Sequence, residues 1–286
     1  MIKVSNLTYI YQQGMPFEKK AIDNVSFEIP AGSFTALIGH TGSGKSTLIQ
    51  HLNALARPTS GKIEIDGTDI TDPKCDLREV RKKVGLVFQY PEHQLFEETV
   101  FKDIAFGPHN MGLSEDEIKE RVYEAARFTG LAEDLMDKSP FELSGGQKRR
   151  VAIAGVLSMR PKVLILDEPT AGLDPRGRDE ILGQLVRLHE ENKEMTVLFV
   201  SHSMEDVAKI AKSVLVMDHG HLAMQGSVAE IFARSDELRK IGLDVPQITS
   251  LTHRLIADGI DVPPDVYTVK YASELFYRLI KEAENV

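Results

Sequence analysis

Gly39-His40-Thr41-Gly42-Ser43-Gly44-Lys45-Ser46 fits the pattern G-x-x-x-x-G-K-S in full. It lies between an apolar run, Phe34 to Ile38, and a helical pattern that opens at Lys45 and carries Thr47 in its first turn. A buried strand, a glycine loop and a helix start, in that order, make a cradle for a phosphate chain. The glycines let backbone approach the oxygens, the loop N–H groups and the helix N-terminus supply donors, and Lys45 neutralises charge. The Ser46 hydroxyl is then placed for Mg²⁺. A glycine turn that holds nothing is the alternative, but such glycines weaken strand and helix unless close approach is needed.

Further along, Val163-Leu164-Ile165-Leu166 delivers Asp167 and Glu168 at a strand end. Asp167 is suited to orient Mg²⁺, and Glu168, one residue on and pointing elsewhere, to act as general base toward a water. Thr196 to Val200 and Val214 to Met217 are further apolar runs of strand length, with helical patterns at about 175 to 192 and 203 to 211 between the runs. Short continuous apolar runs separated by helices indicate an α/β fold with parallel strands buried on both faces. Nearer the start, Ile2 to Val4, Val25 to Ile29 and Lys62 to Gly67 read as strands, and Val84 to Phe88 as another buried one. Residues 91 to 140 are helical in pattern, with Ser114-Glu115-Asp116-Glu117 as a capping box.

The chain has 286 residues, which suits one large domain with a small appendage, and a net charge of −9, which argues against nucleic acid as a partner. Its single cysteine, Cys75, fits a reducing compartment, and the start Met1-Ile2-Lys3-Val4 lacks the apolar stretch of a secretory signal. The longest apolar run, Val151 to Leu157, is far short of the roughly 20 residues of a spanning helix. His51, His109 and His253 lack ligand-like spacing, and Cys75 has no base beside it in sequence.

Between the two halves of the phosphate site stands Leu143-Ser144-Gly145-Gly146-Gln147, where Ser144 caps a helix whose first turn offers N–H groups through two glycines, a second anion site. With the loop and the carboxylate pair, this resembles the nucleotide-binding subunit of ATP-binding cassette transporters over about residues 3 to 235. The segments 89 to 100 and 106 to 112 narrow the likeness to the energy-coupling factor transporters, and Tyr11 to Lys20 with 167 to 178 resemble the second of that family's two ATPase types.

The resemblance implies a P-loop ATP-binding cassette domain at 1–240, with a mostly parallel core sheet, an antiparallel β subdomain and a helical signature subdomain at about 91–158. A C-terminal helical extension, 241–286, is expected to contact a dimer partner or, on its residues alone, to fold back onto its own domain. ATP and Mg²⁺ are the implied cofactors. Gly39, His40, Thr41, Gly42, Ser43, Gly44, Lys45, Ser46 and Thr47 are expected to bind nucleotide, with Ser144, Gly145, Gly146, Gln147 and Asp174 acting across a subunit interface. Ser46, Gln89 and Asp167 are expected at Mg²⁺, and Glu168, His202 and Gln89 in catalysis. Tyr11 is expected to stack on adenine, with Phe17 as competitor. The implied partners are a second ATPase subunit, in a heterodimer or a homodimer, a transmembrane coupling subunit and a membrane substrate-capture subunit for vitamins or transition-metal ions. The implied location is the cytoplasmic face of the membrane. Tyr90, Leu95, Phe96, Val100 and Phe106, with Glu92, Glu97 and Glu98, are expected to line a groove for a basic coupling helix, the alternative being internal packing of the helical insertion. The alternatives are an ATPase of a conventional importer or exporter and, from another class, a repair or translation ATPase.

Overall fold

Alternation of Ile2, Val4 and Leu7 with polar neighbours makes a strand with one buried face, whereas Phe34–Ile38, Val163–Asp167 and Thr196–Val200 are buried at every position. The computed structural model, which describes residues 1–284, sorts these two kinds into two sheets. In chain order the first half runs β1 (Ile2–Tyr11), β2 (Lys19–Ile29), β3 (Phe34–Ile38), α1 (Lys45–Leu52), β4 (Ser60–Ile65), β5 (Thr68–Asp69), α2 (Leu77–Lys83) and β6 (Val84–Val87). Helices α3 (Val100–Asn110), α4 (Glu115–Thr129) and α5 (Gly145–Leu157) follow. The second half runs β7 (Val163–Asp167), α6 (Pro175–Glu191), β8 (Thr196–Val200), α7 (Met204–Ile210), β9 (Ser213–Asp218) and β10 (His221–Ser227). It ends in α8 (Val228–Ala233), α9 (Ser235–Lys240), α10 (Gln247–Ala257) and α11 (Val269–Glu284).

The half-buried strands form an antiparallel sheet in the order β2-β1-β4-β5. The fully buried ones form the core of the order β10-β9-β3-β8-β7-β6, parallel throughout except for the edge pair β9 and β10. Parallel neighbours send every strand out at the same sheet edge, so the loops after β3, β6, β7 and β8 meet there. The opposite faces of the core sheet feed two large apolar clusters: one, with Phe199, Leu164 and Leu166, packs against α3–α6, and the other, with Leu37, Ile165 and Val200, against α1 and the antiparallel sheet.

Helix α4 begins as its sequence dictates. Ser114 and Glu117 exchange capping bonds, and Ile118, Val122 and Ala125 face the core. The expected extension contains α10 and α11 around a small separate cluster of Val266, Ala272 and Leu275 with Phe276 and Leu279 packed on it. Tyr267 meets Phe232 of α8 at 6.3 Å, so this unit is anchored to its own domain. Leu251, expected as contact material, is exposed, as are Tyr277 and Ile280. Residues 285 and 286 of that extension lie outside the described ones. Among the described residues no helix is long and apolar enough to cross a membrane.

Candidate active site

The loop after β3 needs glycine for a physical reason. Gly44 has φ 105, and a Cβ there would stand 2.7 Å from the Ala21 carbonyl oxygen. That close approach packs the start of α1 against β2 and turns the loop's backbone inward. Lys45 is buried, and its Nζ donates to the carbonyls of Gly39 (2.7 Å) and His40 (3.0 Å). Burial lowers its pKa, while Glu168 and Asp167 oppose that.

Strand β7 ends in Asp167, buried beside this amine. Its carboxyl is pushed up to about 6, first by burial and then by Glu168, with Lys45 pulling the other way. Glu168 lies in the left-handed region at φ 49, a conformation that disfavours a side chain by roughly 1–2 kcal/mol. Its N–H donates to Val200 across the sheet at 3.0 Å, which fixes the turn. The turn swings the carboxylate toward the loop after β8, where His202 Nδ1 lies 2.5 Å from Glu168 Oε2.

These groups share one cavity of about 780 Å³, lined by Gly39–Gly42, Lys45, Ser46, Gln89, Asp167, Glu168 and His202. Three oxygen donors, the Ser46 hydroxyl, the Asp167 carboxylate and the Gln89 amide, therefore face one space, the donor set that a hard dication takes. Asp167 is also the carboxylate whose ionised form is penalised by burial, and such a cation relieves that penalty.

Other expected residues stand apart from this cavity. Ser144 accepts from Gln147 N at 3.4 Å while Gln147 Oε1 accepts from Ser144 N at 3.0 Å, so the expected cap forms. Gly145 and Gly146 have open space beside them, and this turn presents the start of α5 to the outside. Asp174 caps α6, accepting from Gly177 N at 2.7 Å. Tyr11, half exposed, has its hydroxyl 3.1 Å from Thr47 Oγ1, whereas Phe17 is 83% exposed on the β1–β2 turn.

Sequence reading missed Glu205 and the segment Gly242–Val245 with Gln247, which line the same cavity; Gln247 N donates to Glu205 Oε1 at 3.4 Å. It also misplaced Glu92. Arg149, 3% exposed, holds Glu92 through two bonds of 3.0 and 2.8 Å and donates to the carbonyls of Pro169 (3.2 Å) and Ala171 (2.7 Å). Glu92 is thus a structural partner and is not available to an external helix. Glu98 pairs with Lys102 at 2.6 Å but stays exposed at the surface. Val100 is in the core, and Tyr90 turns toward Arg149, 6.0 Å from its guanidinium.

One consequence is open to measurement. A carboxyl of pKa about 6 in the folded state, against an ordinary 3.8, favours folding below pH 3.8 and loses that contribution as pH rises through 6. Replacing Asp167 by Asn is therefore expected to stabilise the nucleotide-free protein by on the order of 1–3 kcal/mol at pH 8, with the gain vanishing below about pH 4. Urea unfolding at the two pH values measures it, and equal stability of the two proteins at pH 8 would contradict the assignment.

A phosphate loop, a strand-end Asp-Glu pair and a separate Ser-Gly-Gly-Gln helix start on a parallel core define an ATP-binding cassette ATPase. The ABC transporter family matches residues 22–171. The chain is 58% identical over 285 residues to the energy-coupling factor transporter ATP-binding protein EcfA2 of Caldanaerobacter subterraneus, covering 100% of this chain and 99% of that one. Among solved structures it resembles cbiO1 from Clostridium perfringens, part of the ABC transporter complex cbiONQ, with a TM-score of 0.75 and 43% identity over 88% of this chain and 98% of that one. A dimeric ATP-binding cassette in a post-hydrolysis state, bound to ADP and Pi, matches with a TM-score of 0.71 and 30% identity over 80% of this chain and 99% of that one. The chain belongs to the ABC transporter family and, within it, to the energy-coupling factor transporter ATP-binding proteins.

Proposed function

We propose that this protein hydrolyses ATP to drive uptake of a vitamin or a transition-metal ion, as a peripheral subunit on the cytoplasmic face of the membrane. The observation that carries the reading is a divided site: one cavity holds the phosphate loop, Asp167, Glu168, Gln89 and His202, while the Ser144 turn faces outward elsewhere on the same chain. A second ATPase of the same fold, related but distinct, supplies the missing turn.

In that role the loop amides and Lys45 hold the β and γ phosphates, and Tyr11, joined to Thr47, lies beside the base. Ser46, Asp167 and Gln89 would hold Mg²⁺, which supplies charge neutralisation of the phosphate oxygens. Glu168 takes the proton of the attacking water, and His202, on its carboxylate, keeps that oxygen oriented. Closure by the partner's turn adds donors and removes water, which strengthens each of these interactions. Hydrolysis removes the ligand that joined the two subunits, and they separate.

A groove of about 1000 Å³ between α2, β6, α3 and α5 fits the docking helix of a transmembrane coupling subunit. It is lined by Phe88, Leu95, Phe106 and Met159 together with Asp76, Glu79, Asp103, Arg78, Arg81 and Lys82. Phe106, half exposed, packs edge-on to Phe96 at 4.9 Å, so an apolar surface is held open. Phe106→Asp is expected to leave ATP hydrolysis by the purified protein within about twofold and to reduce its recovery with membrane subunits by about tenfold or more. The extension 241–286 is assigned to contact with the second ATPase. Purification from membranes with identification of the associated chains tests the whole reading. Recovery with a second cassette and a membrane protein of the coupling type supports it, and recovery with nucleic acid or ribosomes refutes it.

A further inference from the structure

The turn between β9 and β10, Asp218-His219-Gly220-His221, lies against the phosphate loop: Gly220 N donates to Ser43 O at 3.0 Å. His40, a loop residue, sends its ring across to this turn. Its Nε2 is 2.9 Å from Asp218 Oδ1, and its ring centre is 4.7 Å from that of His219. His219 Nε2 in turn is 3.7 Å from Asp218 Oδ1. Ligand atoms of His40, Asp218 and His219 all fall within 4.8 Å of one another, the sole such group among the described residues.

The tautomer decides what this cluster can hold. His40 Nδ1 is 2.8 Å from the Thr41 carbonyl oxygen, which can only accept, so Nδ1 carries hydrogen. In the neutral ring Nε2 is then a bare lone pair, and it faces a carboxylate oxygen that is also electron-rich. A proton on Nε2 or a metal ion between the two removes that repulsion. A proton on Nε2 satisfies His40 and Asp218 alone. The exposed ring of His219 brings a second imidazole within 3.7 Å of the same carboxylate, within reach of a bridging metal ion, and an N–H of His40 bound to a backbone carbonyl is the usual outer support of a metal-ligating histidine.

We propose that His40 Nε2, Asp218 and His219 form a three-ligand site for a divalent transition ion of the Zn²⁺ type, completed by water, on the outer flank of the phosphate loop. Two imidazoles and one carboxylate suit Zn²⁺, Co²⁺ or Ni²⁺, whereas Mg²⁺ takes hard oxygen donors. Bonds of about 2.0 Å in tetrahedral geometry put ligand atoms about 3.3 Å apart. The His40–Asp218 contact therefore opens by about 0.4 Å, the His219–Asp218 contact closes by about as much, and the His40–His219 pair, within 4.8 Å, closes by up to about 1.5 Å through rotation of the exposed His219 ring. An ion there ties the β9–β10 turn to the loop whose carbonyls at Gly39 and His40 hold Lys45.

The test uses the tag-free, nucleotide-free full chain titrated with Co²⁺, whose visible bands report tetrahedral coordination, followed by displacement with Zn²⁺. One equivalent is expected to bind to the natural protein. Asp218→Asn and His219→Ala should each weaken binding by about tenfold or more, and His202→Ala should not weaken it. Zn²⁺ should slow amide exchange in residues 39–44 and 218–221 of the natural protein and leave it unchanged in His219→Ala. His219 is exposed, so an unaltered metal-free melting curve shows that this variant folds. Absence of tetrahedral bands, or His219→Ala binding as tightly as the natural protein, overturns the proposal in favour of a proton between His40 and Asp218.

Discussion

Glu168→Gln is expected to lower the turnover number for ATP by about 10²–10⁴ while leaving ATP affinity within a few-fold. The glutamine amide is almost the size of the carboxylate, and its oxygen can still accept from His202 Nδ1, now 2.5 Å from Glu168 Oε2. The left-handed turn at φ 49 and its bond to Val200 do not involve the side chain, so the geometry is retained. Lys45, Ser46 and Asp167, proposed to hold phosphate and metal, are untouched. Only the capacity to take a proton from water is lost. The variant should therefore accumulate with ATP bound and with its partner subunit attached, because the event that ends the association no longer occurs. Steady-state phosphate release and nucleotide titration give the two numbers. A fall of less than about threefold in turnover would assign the base elsewhere.

Arg149→Ala is expected to destabilise the protein by about 3–5 kcal/mol, roughly a 5–15 °C drop in melting temperature. Arg149 is almost wholly buried, and its loss strands the half-buried Glu92 and leaves two carbonyls, of Pro169 and Ala171, without their donor. Burial pushes the Glu92 carboxyl up, but the bonds and charge of Arg149 outweigh this and hold it below its usual range. A depressed carboxyl stabilises the fold above its unfolded pKa, and that contribution fades as pH falls through the folded value. The deficit of the variant should thus be largest at neutral pH and shrink in acid. Adding Glu92→Gln should restore part of the loss, since the stranded charge is gone. If the single and double variants melt together at pH 7, the pair is not the source of the effect.

Chemistry that demands a residue type at a fixed place was legible from the chain alone. Gly44, Lys45, Ser46, Asp167 and Glu168 stand out because strand, turn and helix must occur around them in one order. The buried strands around them were also visible, since Phe34–Ile38 and Thr196–Val200 have no polar face to alternate. Strand β10 was not, because it lies at the sheet edge with only Met224 buried and carries no apolar run. Glu92 looked like a surface acid because its partner is 57 residues away. Gly242–Val245 reach the cavity through the path of α8 and α9 over the domain, which no local pattern records.

The outward-facing Ser144 turn has a genetic corollary. In the proposed pairing this turn completes the pocket of the second, distinct ATPase, so a chain with a damaged Ser144 harms a companion whose own residues are intact. In a cell that makes both sound and altered versions the altered chains should occupy a share of that second ATPase, and the severity should follow the ratio in which the two are synthesised.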